Sequence, residues 1–142
     1  MKIDPPITGG CACGAVRYES HAKPMWMFFC HCRDCQQAGG GPYSAAVLFL
    51  LKSFKVTKGE PKYFSAPSLR GGEHTRGFCA ECGSRLLGAV NPERPFIGVL
   101  ASSLDDPTIF QPECHMFAVD AQPWDRMDDG LPRFDDYPPL KA

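Results

Sequence analysis

The chain has 142 residues, 15 of them Lys or Arg and 16 Asp or Glu, for a formal net charge of -1. That length is a common size for one domain with one core, so residues 1–142 are expected to form a single domain. The charge balance offers no field to attract nucleic acid or an anionic membrane, and the longest apolar run, Ala45 to Leu51, is far shorter than the roughly 20 residues that span a bilayer.

From the N-terminus, Met1-Lys2-Ile3-Asp4-Pro5-Pro6 puts an acid and two prolines where a signal peptide would carry its apolar stretch, and a cytoplasmic protein is expected. Fourteen glycines and fourteen prolines divide the rest into short pieces of strand character. Gly14 to Ser20 alternates apolar and polar, as a strand with one buried face does. Met25 to Cys30 and Ser44 to Leu50 are continuously apolar and read as central strands covered on both faces. Between them, Arg33 to Ala38 is a short helical stretch that needs neighbours or a metal to stand. It ends at Gly39-Gly40-Gly41-Pro42, where a tight turn is expected. Weaker strands follow at Phe54 to Thr57, Glu73 to Phe78, Ser84 to Leu87, Phe96 to Ala101 and Cys114 to Val119. The Pro- and Asp-rich tail from Asp120 is expected to wrap the surface, anchored by Trp124, Leu131 and Phe134. The fold class that follows is mainly β.

The chain contains eight cysteines. In a reducing compartment, clustered thiols point to metal binding or catalysis rather than to disulfides. Four disulfides are possible by number, but Cys11 with Cys13, Cys30 with Cys32, and Cys79 with Cys82 lie closer in sequence than a disulfide scaffold needs.

In Gly10-Cys11-Ala12-Cys13-Gly14 the alternation of an extended chain points both thiols to one side. Phe78-Cys79-Ala80-Glu81-Cys82-Gly83-Ser84 has zinc-knuckle spacing, with Gly83 free to take a positive φ. Each pair supplies two ligands and a closed zinc site takes four, so Cys11, Cys13, Cys79 and Cys82 are expected to share a structural zinc. Arg17, Arg76 and Arg85 are near enough in sequence to offset its negative charge.

Cys30, Cys32 and Cys35 have no partner pair. Three thiols with an open position make a catalytic type of zinc site, which would bring the count to two zinc ions. The alternative is a second structural zinc closed by His31, His74, Cys114 or His115. Strand alternation turns His31 away from its flanking cysteines and argues against it as that ligand.

These motifs resemble the glutathione-dependent formaldehyde-activating enzymes and their relatives with an Mss4-like fold. The likeness runs from Gly9-Gly10-Cys11-Ala12-Cys13-Gly14-Ala15-Val16-Arg17-Tyr18, through Cys30-His31-Cys32-Arg33-Asp34-Cys35, to Phe78-Cys79-Ala80-Glu81-Cys82-Gly83-Ser84. It continues in Pro112-Glu113-Cys114-His115-Met116, Trp124 and Leu131-Pro132-Arg133-Phe134. The resemblance implies several small antiparallel β-sheets built around the same two zinc sites. It also implies a carbon-sulfur lyase or synthase acting on a small thiol or a thiol-aldehyde adduct such as S-hydroxymethylglutathione. For the proton transfer such a reaction needs, His115 is the first candidate and His31 the second. Arg33, Lys52, Arg70 and Arg76 are candidates to hold glutathione carboxylates, and Trp124 to wall the pocket. The competing expectation is a non-catalytic zinc-stabilised β module that binds a protein partner.

Overall fold

The computed structural model describes residues 3–139; Met1 and Lys2, on which the signal-peptide reading partly rests, and the last three residues lie outside it. Strand β1 (Ile7–Gly10) pairs antiparallel with β2 (Arg17–Ser20), and β2 with β5 (Phe54–Lys58), to make a three-stranded sheet. A second sheet runs in the order β10 (His115–Met116), β3 (Trp26–Cys30), β4 (Ser44–Leu50), β9 (Phe96–Leu100), β8 (Arg85–Gly88), β7 (Glu73–Phe78) and β6 (Lys62–Pro67). Only β10, which is parallel to β3, departs from the antiparallel pattern of these pairings. The fold is mainly β, as the sequence implied.

Two strands, β1 and β6, carry no sequence signal. β1 ends in two glycines that weaken its propensity, yet the backbone needs them. A Cβ on Gly9 would lie 2.4 Å from the Tyr18 hydroxyl and 2.5 Å from the Ser103 carbonyl, so only glycine lets β1 settle here. β6 is the exposed edge of the seven-stranded sheet, with one neighbour and no apolar face to bury.

The main core lies between the sheets. Val16 and Tyr18 pack with Val47, Phe49, Ile97 and Val99 from β4 and β9, all nearly or fully buried. Burial of each large apolar side chain contributes about 1.5–3 kcal/mol, so this layer dominates the hydrophobic stabilisation. The opposite face of β3 and β4 is different. Phe28, Met116 and Phe117 are buried there with Cys30 and Cys32, but Ala46 and Leu48 are only partly covered. The expectation that these strands are closed on both faces therefore holds on one face, and the other opens into a cleft.

Helix α1 (Arg33–Gly39) begins at Cys32, whose sulfur accepts the Cys35 N-H at 3.3 Å, and stops at Gly40 with φ of +73°. The glycine run is thus the helix terminus. In the tail, His115 donates its N-H to the Pro132 carbonyl at 2.9 Å, and Phe134 returns its own to the His115 carbonyl at 2.9 Å. Phe134 packs on the second apolar cluster, whereas Trp124 is 66% exposed, at the rim of a shallow surface depression with Gln36, Gln37 and Gly40. No helix among the described residues is long and apolar enough to cross a membrane.

Candidate metal centres and the adjoining cleft

The first cluster joins the loop after β1 to the knuckle between β7 and β8. Cys11 donates its N-H to the Val16 carbonyl at 3.1 Å, and the Val16 N-H returns to the Cys11 sulfur at 3.2 Å. In the knuckle, Gly83 donates to the Cys79 carbonyl at 2.8 Å and Cys79 to the Ser84 carbonyl at 2.9 Å, with Gly83 at φ of +78°. Ser84 links the loops, because its hydroxyl accepts the Ala12 N-H at 3.1 Å and stands 3.2 Å from the Cys82 sulfur.

Cys13 Sγ lies 3.6 Å from Cys11 Sγ and 3.8 Å from Cys79 Sγ, and all four sulfurs fall within 4.8 Å of one another. A disulfide needs about 2.05 Å. A tetrahedron with metal-sulfur bonds of about 2.3 Å has edges of about 3.8 Å, so the spacing is that of ligands around one ion. The Ser84 hydroxyl and backbone N-H pull the Cys82 thiol down to about 5. Burial works against ionisation of Cys11, but the Val16 N-H and the neighbouring thiols outweigh it and lower its pKa. These donors favour thiolates, the form that binds metal, at Cys82 and Cys11; at Cys13 the pull of the Ala15 N-H is overcome by the Cys11 thiol and burial, which push it up to about 12.

The second cluster is local. Cys30 ends β3, Cys32 caps α1, and Cys35 lies in the first turn, with the three sulfurs within 4.8 Å of one another. Among the described residues no His, Cys, Asp or Glu joins them as a fourth. Cys114 is buried in the same apolar cluster but outside this trio. Cys35 is held well below the usual thiol range by the Cys30 and Cys32 thiols, then by Ser44 and the Arg76 charge. All eight cysteines are free of disulfides.

The trio lines an open cleft of about 980 Å³ on the outer face of the seven-stranded sheet. Its walls are apolar at Phe28, Ala46 and Leu48, and cationic at Arg76 and Arg85. Arg76 Nη2 donates to Cys35 Sγ at 3.7 Å, while its Nη1 donates to Nδ1 of His74. Since a guanidinium can only donate, this contact favours the tautomer of His74 with an accepting Nδ1 and the ring proton on Nε2. That atom faces Oδ1 of Asp34 at 3.8 Å. Burial, followed by the Arg76 charge, lowers the His74 pKa and so favours the neutral ring. Asp34 itself accepts the Ser68 hydroxyl at 2.6 Å and the Leu69 N-H at 3.1 Å.

Arg76 and Arg85 therefore serve this cleft rather than the four-thiol cluster, where sequence proximity had placed them. Arg17 does stay with the first cluster, in a two-point pair with Asp105 whose Nη1 to Oδ1 distance is 2.8 Å.

His31 and His115, the sequence-derived acid-base candidates, lie on the other side of β3 and do not line the cleft. Nδ1 of His31 is 2.6 Å from Asp125, its Nε2 is 2.8 Å from Nδ1 of His115, and Nε2 of His115 is 2.9 Å from Asp129. The His115 ring stacks on Phe29 with centroids 5.0 Å apart. Strand alternation explains the placement: if Cys30 and Cys32 face the cleft, His31 cannot, and β10 sets His115 beside Phe29 in register on that same rear side. The alternation that turns His31 away from its flanking cysteines also keeps it out of the cleft.

The family model for glutathione-dependent formaldehyde-activating enzymes matches residues 6–120, a span that includes every cysteine of both clusters. The chain belongs to this family. Among solved structures, a Rhodobacter sphaeroides protein matches with a TM-score of 0.54 and 19% identity, covering 89% of this chain and 98% of that one. At that identity the likeness concerns the fold. No curated protein matches the sequence. In this family member the two cysteine clusters can hold metal ions, which agrees with zinc by donor set and spacing. What the sequence did not reveal is the cleft's polar lining. His74 was one of several possible ligands, and Arg85 was a counter-charge to the wrong cluster. Both arginines come to line the cleft only through the register of β7 against β8, with its shift between Gly77 and Phe78.

Proposed function

We propose that this protein is a zinc-dependent carbon-sulfur lyase or synthase that interconverts a thiol plus formaldehyde with an S-hydroxymethyl thiol such as S-hydroxymethylglutathione. Cys11, Cys13, Cys79 and Cys82 would hold a structural zinc, and Cys30, Cys32 and Cys35 a second zinc of catalytic type. The observation that carries the reading is a trio of thiols opening on a large cleft, against a quartet elsewhere whose four thiols make a complete ligand set. Bound at the trio, the metal would supply a cation that keeps a substrate thiol as thiolate at neutral pH.

The residues of the cleft account for the remainder of the chemistry. In the synthetic direction the sulfur lone pair attacks the carbonyl carbon of formaldehyde, the C-S bond forms, and the carbonyl π pair moves to oxygen, which takes a proton. In the lytic direction the hydroxyl loses its proton, the C=O bond re-forms, and sulfur leaves with the C-S electron pair. Nε2-H of His74, oriented by Arg76 on the far side of the ring, is a hydrogen-bond donor in the cleft that would polarise the carbonyl oxygen in synthesis and steady the alkoxide in cleavage, while the proton itself passes to and from solvent in the open cleft. Apolar walls at Phe28 and Leu48 limit water around the sulfur. His31 and His115 act from behind β3, holding the segment from Cys30 to Cys32 to the tail.

The test is metal analysis of the purified chain followed by incubation with S-hydroxymethylglutathione. Two zinc ions per chain and formaldehyde release above the spontaneous rate are expected. One zinc, or release no faster than in buffer, would remove the enzyme reading and favour a zinc-stabilised binding module.

A further inference from the structure

The thiol trio is drawn from two elements, with Cys30 at the end of β3, Cys35 in the first turn of α1, and Cys32 at the joint between them. At seven residues α1 is well short of the roughly 12–15 that hold a helix together alone, so its place against β3 depends on bonds to its neighbours. Gln36 makes several of them. This residue is 5% exposed, and its backbone N-H donates to the Cys32 carbonyl at 3.0 Å. Its side-chain Nε2 donates to the His31 carbonyl at 2.6 Å and to the Asp120 carbonyl at 3.0 Å. Its Oε1 accepts Nη1 of Arg33 at 2.7 Å and Nε2 of Gln122 at 3.0 Å. Carbonyls only accept and a guanidinium only donates, so these partners fix which way the amide points, and both of its ends are fully used. Arg33, a candidate for substrate carboxylates in the sequence, is committed here instead.

We propose that Gln36 is a positioning residue for a metal ion at Cys30, Cys32 and Cys35, acting through the peptide unit between His31 and Cys32. This rests on reading the trio as a metal site. The His31 carbonyl belongs to the peptide unit that ends at the Cys32 Cα, so the Gln36 amide sets how that unit is turned and hence where the Cys32 sulfur stands between its two neighbours. From the other side, the His31 N-H donates to the Met116 carbonyl at 3.0 Å, and residue 31 is clamped at both backbone groups. A tetrahedral sulfur set has edges of about 3.8 Å, and a small turn of one ligand's backbone is enough to spoil it. The bonds to Asp120 and from Gln122 hold the same amide to the tail, so the seating of the tail reaches the trio through this one side chain.

The experiment loads the full chain with cadmium-113 and reads one nuclear resonance per ion, the trio's being the one altered in Cys35→Ser. Gln36→Met keeps the length of the side chain and removes all of its hydrogen bonds. It should move the trio's resonance, leave the quartet's where it was, and speed cadmium transfer from the trio to a chelator by about 10–100-fold, the range for losing a partner that orients a ligand. The quartet is the internal control, because a general loosening of the fold would move both signals. Two resonances moving together would make Gln36 an ordinary brace of the fold, and an unchanged signal and release rate at the trio would make it a bystander; either result overturns the proposal. If Gln36→Met does not fold, Gln122→Ala decides, since it removes only a half-buried tail donor to Gln36 Oε1: faster release from the trio alone supports the role, and unchanged release refutes it. A single resonance in the unaltered chain would instead remove the metal reading of the trio, and the proposal with it.

Discussion

The two cysteine clusters use the same ligand chemistry for opposite structural ends. Cys11 and Cys79 are members of the core between the sheets, and their cluster joins the loop after the first strand to a hairpin about half the chain away. Cys30, Cys32 and Cys35 sit within one strand end and one helical turn, on the sheet face that opens to the cleft. Sequence separation is the deciding variable. A metal that closes a long loop removes large unfolded-state entropy and so stabilises the fold, whereas a metal on a short local segment closes almost none and is left for binding.

The sharpest break of this comparison is a pair of substitutions. Cys82→Ser should leave the chain unfolded at 25 °C, because an apparent zinc affinity of about 10–16 kcal/mol is as large as the 5–15 kcal/mol stability of a typical domain. Cys35→Ser should keep the far-ultraviolet circular dichroism spectrum and a melting temperature within a few degrees, while adduct cleavage falls more than about a hundred-fold. Equal unfolding by both would erase the distinction between the clusters.

The core on the four-thiol side makes the second prediction, about 2.7 kcal/mol in size. Tyr18 is 1% exposed, and burial pushes its hydroxyl up to about 12, against the pull of Ser103 at 2.5 Å. An unfolded tyrosine titrates near 10, so the folded state resists losing this proton. The stability contribution is therefore intact below pH 10 and lost as pH rises from 10 to 12, at about 1.36 kcal/mol for each pH unit crossed. Denaturant unfolding of the native chain and Tyr18→Phe across that window should show the two curves converging. A constant gap between them would mean that the interior around Tyr18 is open to water.

The same contrast explains what the sequence disclosed. Metal-ligand spacing is a local code, so both clusters were legible, as were the alternating or apolar strands Arg17–Ser20, Trp26–Cys30 and Ser44–Leu50. The cleft was not. Its wall comes from β3, β4, β7 and β8, and which face Arg76 and Arg85 take depends on the bulge between Gly77 and Phe78, which no pattern in the chain announces. Gly9 stands in the sequence as part of a cysteine motif, but its role is the close approach of Tyr18, which only the fold shows. Trp124, expected as an anchor of the tail, is largely exposed, because a side chain's size does not say where the tail runs.

A smaller test concerns the rear of β3. Asp125→Asn removes a carboxylate, 3% exposed in its side chain, from Nδ1 of His31 at 2.6 Å, and the loss of one charge-assisted hydrogen bond should cost about 1.5–3 kcal/mol. Activity per folded molecule should stay within a few-fold, because neither histidine reaches the cleft. A hundred-fold fall in rate with stability intact would restore His31 to the acid-base role the sequence suggested.

The smallest effect separates the clusters by backbone alone. Gly83 in the knuckle and Gly40 at the end of α1 both have positive φ, +78° and +73°, and a Cβ at either would meet open space. Alanine at each should therefore cost only the left-handed penalty, about 1 kcal/mol, with no clash added. Their consequences should nevertheless differ. Gly83 donates its N-H to the Cys79 carbonyl in the turn that holds two ligands, so Gly83→Ala should speed zinc loss to a chelator from the four-thiol site. Gly40 lies five residues past Cys35 at the far end of the helix, and Gly40→Ala should lower the melting temperature to a similar extent while leaving both zinc release rates as they were. Identical release kinetics in the two variants would mean that knuckle geometry contributes nothing to holding the ion.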